Sequence, residues 1–246
     1  MMKKTIVLMA LCFAFKSAAS TDITLTSSDG FTIHGSYFSG KEDSNKALLM
    51  LHQCNFNRSM YNDIGNQLSQ QGIHALSIDF RGYGDSKNNQ FDVSSIRKLS
   101  GQSRTDAWRD MVKYWPQDVQ LAYEYLRRKV SNTGQIGVIG ASCGGTQAIT
   151  LANNSNIDAI GFFSSAQTYD NIQKYVANLS SKPTLIIAAD DDGRTYTSAN
   201  ILFKEAKHAN SKLLTYKGKL HGYPLLEHDK NLNNAISHWF GQQLKK

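Results

Sequence analysis

Cysteine is scarce in this chain: three in 246 residues, one of them, Cys12, within the first twenty. Cys54 and Cys143 remain, too few to build a disulfide-dependent fold. No His/Cys cluster shows metal-ligand spacing, so the sequence calls for no metal and no organic cofactor. Beyond residue 20 no apolar run is long enough to cross a bilayer. Internal repeats and low-complexity segments are also absent. Lys and Arg exceed Asp and Glu by 27 to 20, but the basic residues are scattered, as in Arg97-Lys98, Arg127-Arg128-Lys129, Lys217 to Lys219 and Lys245-Lys246. None is interleaved with aromatics as a nucleic-acid groove would be, and a solvated face accounts for them.

What is present begins with the leader. Met1-Met2-Lys3-Lys4 is basic, Thr5 to Phe15 is apolar, and Ser17-Ala18-Ala19-Ser20 is small. That order of regions predicts a secretory signal peptide over residues 1–20, cleaved after Ala19 or Ser20. Leu11 before Cys12 argues against lipid attachment there. The expectation is a single domain over 21–246, exported to a periplasm or secreted. Loss of Lys3, Lys4 and Lys16 leaves 24 basic against 20 acidic residues.

Within that domain, Ile23 to Thr26 and Phe31 to Phe38 flank Ser27-Ser28-Asp29-Gly30 and predict an antiparallel hairpin. Ala47 to Leu51 is a continuous apolar run of the kind buried on both sheet faces, and Ile73 to Phe80 predicts the next buried strand. Between them a helix is expected, capped by Ser59 and ended by Gly72. Lys87 to Asp110 lacks a clear period. Pro116 opens a helix to about Lys129. Gln135 to Ile139, Ile157 to Ser164, Thr184 to Ala189 and Leu213 to Tyr216 predict further strands. A linker holding Tyr169 and Tyr175 and a helix over Thr197 to Lys207 separate the later ones. Leu232, Ile236, Phe240 and Leu244 mark a terminal amphipathic helix. A hairpin followed by alternating strands and helices predicts an α/β fold, with a mostly parallel sheet covered on both faces.

Gly140-Ala141-Ser142-Cys143-Gly144-Gly145 lies between a strand and a helix and has the G-x-S-x-G pattern. At a sharp strand-to-helix turn the serine hydroxyl stands above the sheet edge and backbone N–H groups stay free. A serine needs a base, and the base an orienting acid. In this order of elements the acid follows a strand downstream and the histidine follows the last strand. Ala189-Asp190-Asp191-Asp192-Gly193 and Gly218-Lys219-Leu220-His221-Gly222 fill those places. His221 is the expected base, and Asp192, farthest past its strand, the expected acid. For an oxyanion, Cys143 offers one backbone N–H, and the loop His52-Gln53-Cys54-Asn55 offers another from Gln53 or Cys54. His52 is expected in a structural or pocket-wall role.

Together His52-Gln53, Asp79 to Ser86, Gly140 to Gly145, the Asp192 turn and His221-Gly222 resemble the α/β-hydrolase fold over nearly all of residues 21–246. The short segment between Ser164 and Thr184 leaves no room for a large lid, which resembles the dienelactone-hydrolase-like and carboxylesterase branch. That branch usually carries cysteine where this chain has Ser142, and the usual His-Gly of the oxyanion loop is His52-Gln53 here. The resemblance implies Ser142 as nucleophile, Asp192 as acid, His221 as base, and Cys54 and Cys143 as oxyanion donors. If Cys54 and Cys143 flank one oxyanion hole, they come within disulfide reach; the alternative is two unpaired apolar fillers. The implied activity is hydrolysis of an acyl bond, an ester by default, in a small-molecule substrate. A peptidase, an acyltransferase and a non-catalytic binding protein on the same fold are the alternatives.

Overall fold

A computed structural model describes residues 20–245 of the chain. The leader expected over residues 1–20 therefore falls, but for Ser20, outside the described residues. Eight strands form one sheet: β1 (Thr21–Thr26), β2 (Thr32–Phe38), β3 (Lys46–Leu51), β4 (His74–Ile78), β5 (Gln135–Ala141), β6 (Ala159–Phe163), β7 (Thr184–Ala189) and β8 (Lys212–Tyr216). Their spatial order is β1-β2-β4-β3-β5-β6-β7-β8. The pairs β1/β2 and β2/β4 are antiparallel, and every later pair is parallel.

Alternation along the central strands divides the core in two. Ala47, Leu49 and Leu51 of β3 face one apolar cluster, and Leu48 and Met50 face the other. The first cluster packs against α4 (Trp115–Arg127) through Val119, Ala122 and Leu126, and against α5 (Cys143–Asn154) through Ala148 and Ile149. The second packs against α1 (Asn62–Gln70) through Ile64 and Leu68, and against α9 (Asn231–Gln243) through Leu232, Ile236 and Phe240. β5 is buried along its whole length between these layers. The turn at its end is thereby a fixed point in the molecule.

The remaining helices are short or peripheral: α2 (Val93–Ile96), α3 (Gly101–Val112), α6 (Tyr169–Lys174), α7 (Arg194–Glu205) and α8 (Tyr223–His228). Three details differ from the sequence expectation. Asn57, not Ser59, caps the helical stretch before α1: its side chain accepts the Ser59 N–H at 2.9 Å, so Ser59 is a recipient of the cap. The stretch from 164 to 184 is largely helical, because Thr168 caps α6 by accepting the Asn171 N–H, and Tyr175 and Leu179 are buried. And α7 starts at Arg194, three residues early, since Gly193 (φ 49°) turns the chain directly off the β7 end. Among the described residues, no helix is long and apolar enough to cross a membrane.

Candidate functional site

β5 ends at Ala141 and α5 begins at Cys143, leaving Ser142 alone in the turn with φ 52° and ψ −117°. This backbone is costly for a residue with a Cβ, on the order of 1–3 kcal/mol. The surroundings impose it. A Cβ on Gly140 would strike the Gly144 carbonyl, and one on Gly144 would strike that of Leu51, so only glycine admits the turn there. The Ser142 N–H donates to the Phe163 carbonyl at 2.9 Å, and its own carbonyl accepts Ser165 Oγ at 2.6 Å. Behind Ser165 stand Gln167 and Asn171, each donating to the next group in a buried polar chain. The Ser142 hydroxyl makes no cap hydrogen bond to α5, so it is left for other chemistry.

His221 follows β8, and its Nδ1 lies 2.7 Å from Asp192 Oδ2. With an ionised carboxylate as acceptor, Nδ1 carries the proton and Nε2 keeps its lone pair. The three consecutive aspartates are distinct in use. Asp190 binds Lys217 Nζ at 2.7 Å and the Gly218 N–H at 2.9 Å, and Lys217 holds its carboxyl below the usual range. Asp191 faces Lys219 at 3.6 Å across an exposed surface. Of the three, only Asp192 reaches the imidazole. The His221 loop is itself held from both sides: Gly222 N–H donates to Ser164 Oγ at 2.9 Å, and Tyr223 N–H to Gln53 Oε1 at 2.6 Å. Ser164 also has positive φ (43°).

Cys54 and Cys143 are joined in a disulfide with their Cα atoms 5.8 Å apart, spanning 89 positions of sequence. The bridge ties the loop after β3 to the first residue of α5. Among the described residues no hydrogen bond uses the backbone N–H of either cysteine. The Cys54 carbonyl accepts Tyr83 Oη at 2.6 Å and Arg97 Nη2 at 2.8 Å, which fixes the next peptide of the loop. Gln53 is buried, and its side chain serves as the strut to Tyr223. His52 is fully buried: Nδ1–H donates to the Gln53 carbonyl at 2.7 Å and Nε2 accepts the Phe80 N–H at 3.0 Å. Burial pushes its pKa down to about 4. A neutral imidazole with both nitrogens engaged is a brace.

Ser142, His221 and Cys54 line one cleft of about 330 Å³, together with Asn55, Arg97, Arg104 and Trp108. The last three come from the stretch in which the sequence showed no clear period, and Arg97 is thus a cleft residue and not part of a merely solvated face. Of the aromatics around the site, Tyr83 is buried beneath Cys54, and Phe56 stacks on Tyr223 at 4.1 Å between ring centroids. None of these three lines the cleft. Among the described residues, no group of three or more His, Cys, Asp or Glu is arranged to hold a metal ion.

A family model described as serine aminopeptidase, S33 (Hydrolase_4), matches residues 42–167, half of the chain. The chain belongs to the Hydrolase_4 family. That family places it among serine hydrolases of the α/β-hydrolase fold, and solved structures agree on the fold. An esterase from Pyrococcus furiosus superposes with a TM-score of 0.66 at 16% identity, covering 92% of this chain and 93% of that one. A cold-adapted esterase from an Arctic intertidal metagenomic library gives 0.63 at 17%, covering 92% and 94%. A predicted CIB-like hydrolase from Thermoplasma acidophilum gives 0.62 at 15%, covering 91% and 99%. No curated protein matches the sequence. The Hydrolase_4 match spans β3 to β6, and so contains the Cys54 loop and Ser142 but neither Asp192 nor His221.

Proposed function

We propose that this chain is an exported serine hydrolase that cleaves a carboxylic ester through an acyl-enzyme. One observation carries the reading: His221, held by Asp192, lines the same cleft as Ser142, the residue at the strained turn. Ser142 Oγ attacks the acyl carbonyl carbon while His221 Nε2 takes the hydroxyl proton. Asp192 holds the ring in the required tautomer and stabilises the imidazolium. The oxyanion that forms is received by the backbone N–H groups of Cys54 and Cys143, each such donor being worth on the order of 3 kcal/mol. Collapse expels the alcohol, which takes the proton back from His221. Water then attacks the acyl-enzyme, with His221 as base again, and releases the acid and free Ser142. The disulfide fits an oxidising compartment, in line with the leader expected over residues 1–20.

The family description raises aminopeptidase action as a second reading. An aminopeptidase holds the substrate's ammonium group, for which a carboxylate at the cleft is the natural partner. The lining here has two arginines and no carboxylate, which favours the ester. A fluorophosphonate probe tests the chemistry: wild-type protein is labelled and Ser142→Ala is not. Labelling of Ser142→Ala at the wild-type rate would sink the assignment. A panel of p-nitrophenyl esters against aminoacyl p-nitroanilides separates the two substrate classes.

A further inference from the structure

Among the described residues, the arginines at this cleft have no acidic partner. In the α2–α3 segment, Asp92 is spent on its own cap, accepting the N–H and hydroxyl of Ser94. Asp106 takes Arg109, and Asp110 takes Lys113. Just before them, Asp85 takes Arg58. Every acid from 85 to 112 is thus engaged elsewhere, and among the described residues no ion pair includes Arg97 or Arg104. Arg97 is nevertheless held in place, by one Nη2 hydrogen bond to the Cys54 carbonyl at 2.8 Å, with its remaining N–H groups unassigned. Arg104 and Trp108 are four residues apart on α3, so both present to the cleft from one helix face. Trp108 is backed by Trp115 at 6.0 Å between ring centroids, which steadies the indole as a flat wall.

We propose that Arg97, Arg104 and Trp108 form a subsite for an anionic group, so that the preferred substrate is a small ester carrying a carboxylate or phosphate near the scissile bond. The inference rests on the serine-hydrolase reading for the reaction, and adds the charge of what is bound. Two guanidiniums at one cleft mouth repel each other and leave planar N–H forks unfilled. A carboxylate or phosphate removes the repulsion and accepts those forks in pairs. The apolar body of the substrate lies against Trp108, and the ester carbonyl reaches Ser142.

The test compares matched esters. On the leaving-group side, 4-carboxyphenyl acetate is set against 4-carbamoylphenyl acetate. On the acyl side, the p-nitrophenyl monoester of glutaric acid is set against p-nitrophenyl pentanoate, and a phosphate-bearing phenyl acetate separates phosphate from carboxylate. At low salt, kcat/KM for at least one anionic ester should exceed its neutral match by tenfold or more, and the gain should shrink at 0.5 M salt. Arg104→Gln should lower that anionic-to-neutral ratio at least fivefold, and Arg104→Lys should recover part of it. Equal rates for all pairs, or a ratio unmoved in Arg104→Gln, would overturn the subsite while probe labelling at Ser142 still upheld the hydrolase. A readout independent of turnover uses Ser142→Ala: glutarate should quench or shift tryptophan fluorescence saturably, glutaramide should not, and Arg104→Gln in that background should weaken the response at least fivefold. No glutarate response together with unequal ester rates lost in Arg104→Gln would still place the effect at Arg104. Absence of both kinds of signal refutes the proposal.

Discussion

Arg81 and Arg104 are the same residue in opposite circumstances. Arg81 is fully buried, and its guanidinium grips Asp118 through Nε and Nη2, both at 2.9 Å, while Nη1 reaches Asp29 at 2.5 Å. The rings of Phe31 and Tyr114 lie 4.2 Å from its central carbon. Asp29 belongs to the β1–β2 turn and Asp118 to α4, so this one side chain fastens the hairpin to the helical layer. Arg104 is exposed, has no acidic partner, and faces the cleft that holds Ser142. A buried charge whose hydrogen bonds are met is part of the architecture, and its worth appears as stability. A solvated charge at a cleft adds little to stability, and its worth appears when something binds.

The largest expected effect follows from breaking the buried side. Arg81→Met should destabilise the fold by about 3–5 kcal/mol, because it removes the cationic partner of the buried Asp118 carboxyl, whose pKa burial already raises, and leaves only Ser27 Oγ to hydrogen-bond it. Urea unfolding measures this, and Arg81→Met/Asp118→Leu should recover much of the loss. A change under about 1 kcal/mol in the single variant would mean that water reaches Asp118 and the cluster is not dry.

His52 belongs with Arg81, and it brings pH dependence. Its ring is held neutral in the fold, with pKa about 4, against an ordinary value near 6.5 when unfolded. Between those values the unfolded chain binds the extra proton, so stability rises with pH across this window. The contribution is complete above pH 6.5 and is lost as pH falls toward 4, in total on the order of 3 kcal/mol. Unfolding at pH 7.5 and pH 4.5 should show that slope, and His52→Gln should flatten it. An equal slope in the variant would assign the pH dependence to other groups.

How much of this could be read from sequence divides along the same line. Ser142, His221 and Asp192 could be singled out as candidates because each follows a strand in a glycine-marked turn, and strand ends of a parallel sheet converge. The sheet was legible from its apolar strands: β6 is apolar throughout, and β3, β5 and β7 are apolar after one polar first residue. Arg97, Arg104 and Trp108 were not. Arg97 follows the last residue of α2 and the other two lie on α3, helices whose buried side chains are Ile96 and Met111. With so few buried anchors, no period says which helix face meets the cleft. The helical stretch at 169–179 was missed differently, since Thr168 and Asn171 form a cap from residues that read equally well as a loop.

The disulfide stands between the two regions, half scaffold and half site. An 89-residue separation makes its chain-entropy contribution about 4.6 kcal/mol, with measured values for such bridges usually about 2–4. Reduction by a dithiol should lower the unfolding free energy by that order, read by urea titration with and without reductant. It should also lower kcat about tenfold with KM little changed, because the Cys54 N–H is then held only through its carbonyl partners. Unchanged kcat in fully reduced, folded protein would show that Tyr83 and Arg97 suffice to hold the loop.

The smallest expected effect is the most discriminating. Arg104→Gln removes a full charge from the mouth of the cleft, yet its stability should stay within about 0.5 kcal/mol of wild type, as for solvated positions without a specific partner. Loss of repulsion from Arg97 could even make the change slightly favourable. The same urea titration that reveals Arg81→Met measures it, so the two arginines are compared on one scale. A loss of 2 kcal/mol or more would mean that Arg104 is built into the fold as Arg81 is, and its place at the cleft would then be incidental. A negligible loss, alongside the fall in anionic-ester preference, would leave binding as the reason an unpaired guanidinium stands beside Ser142.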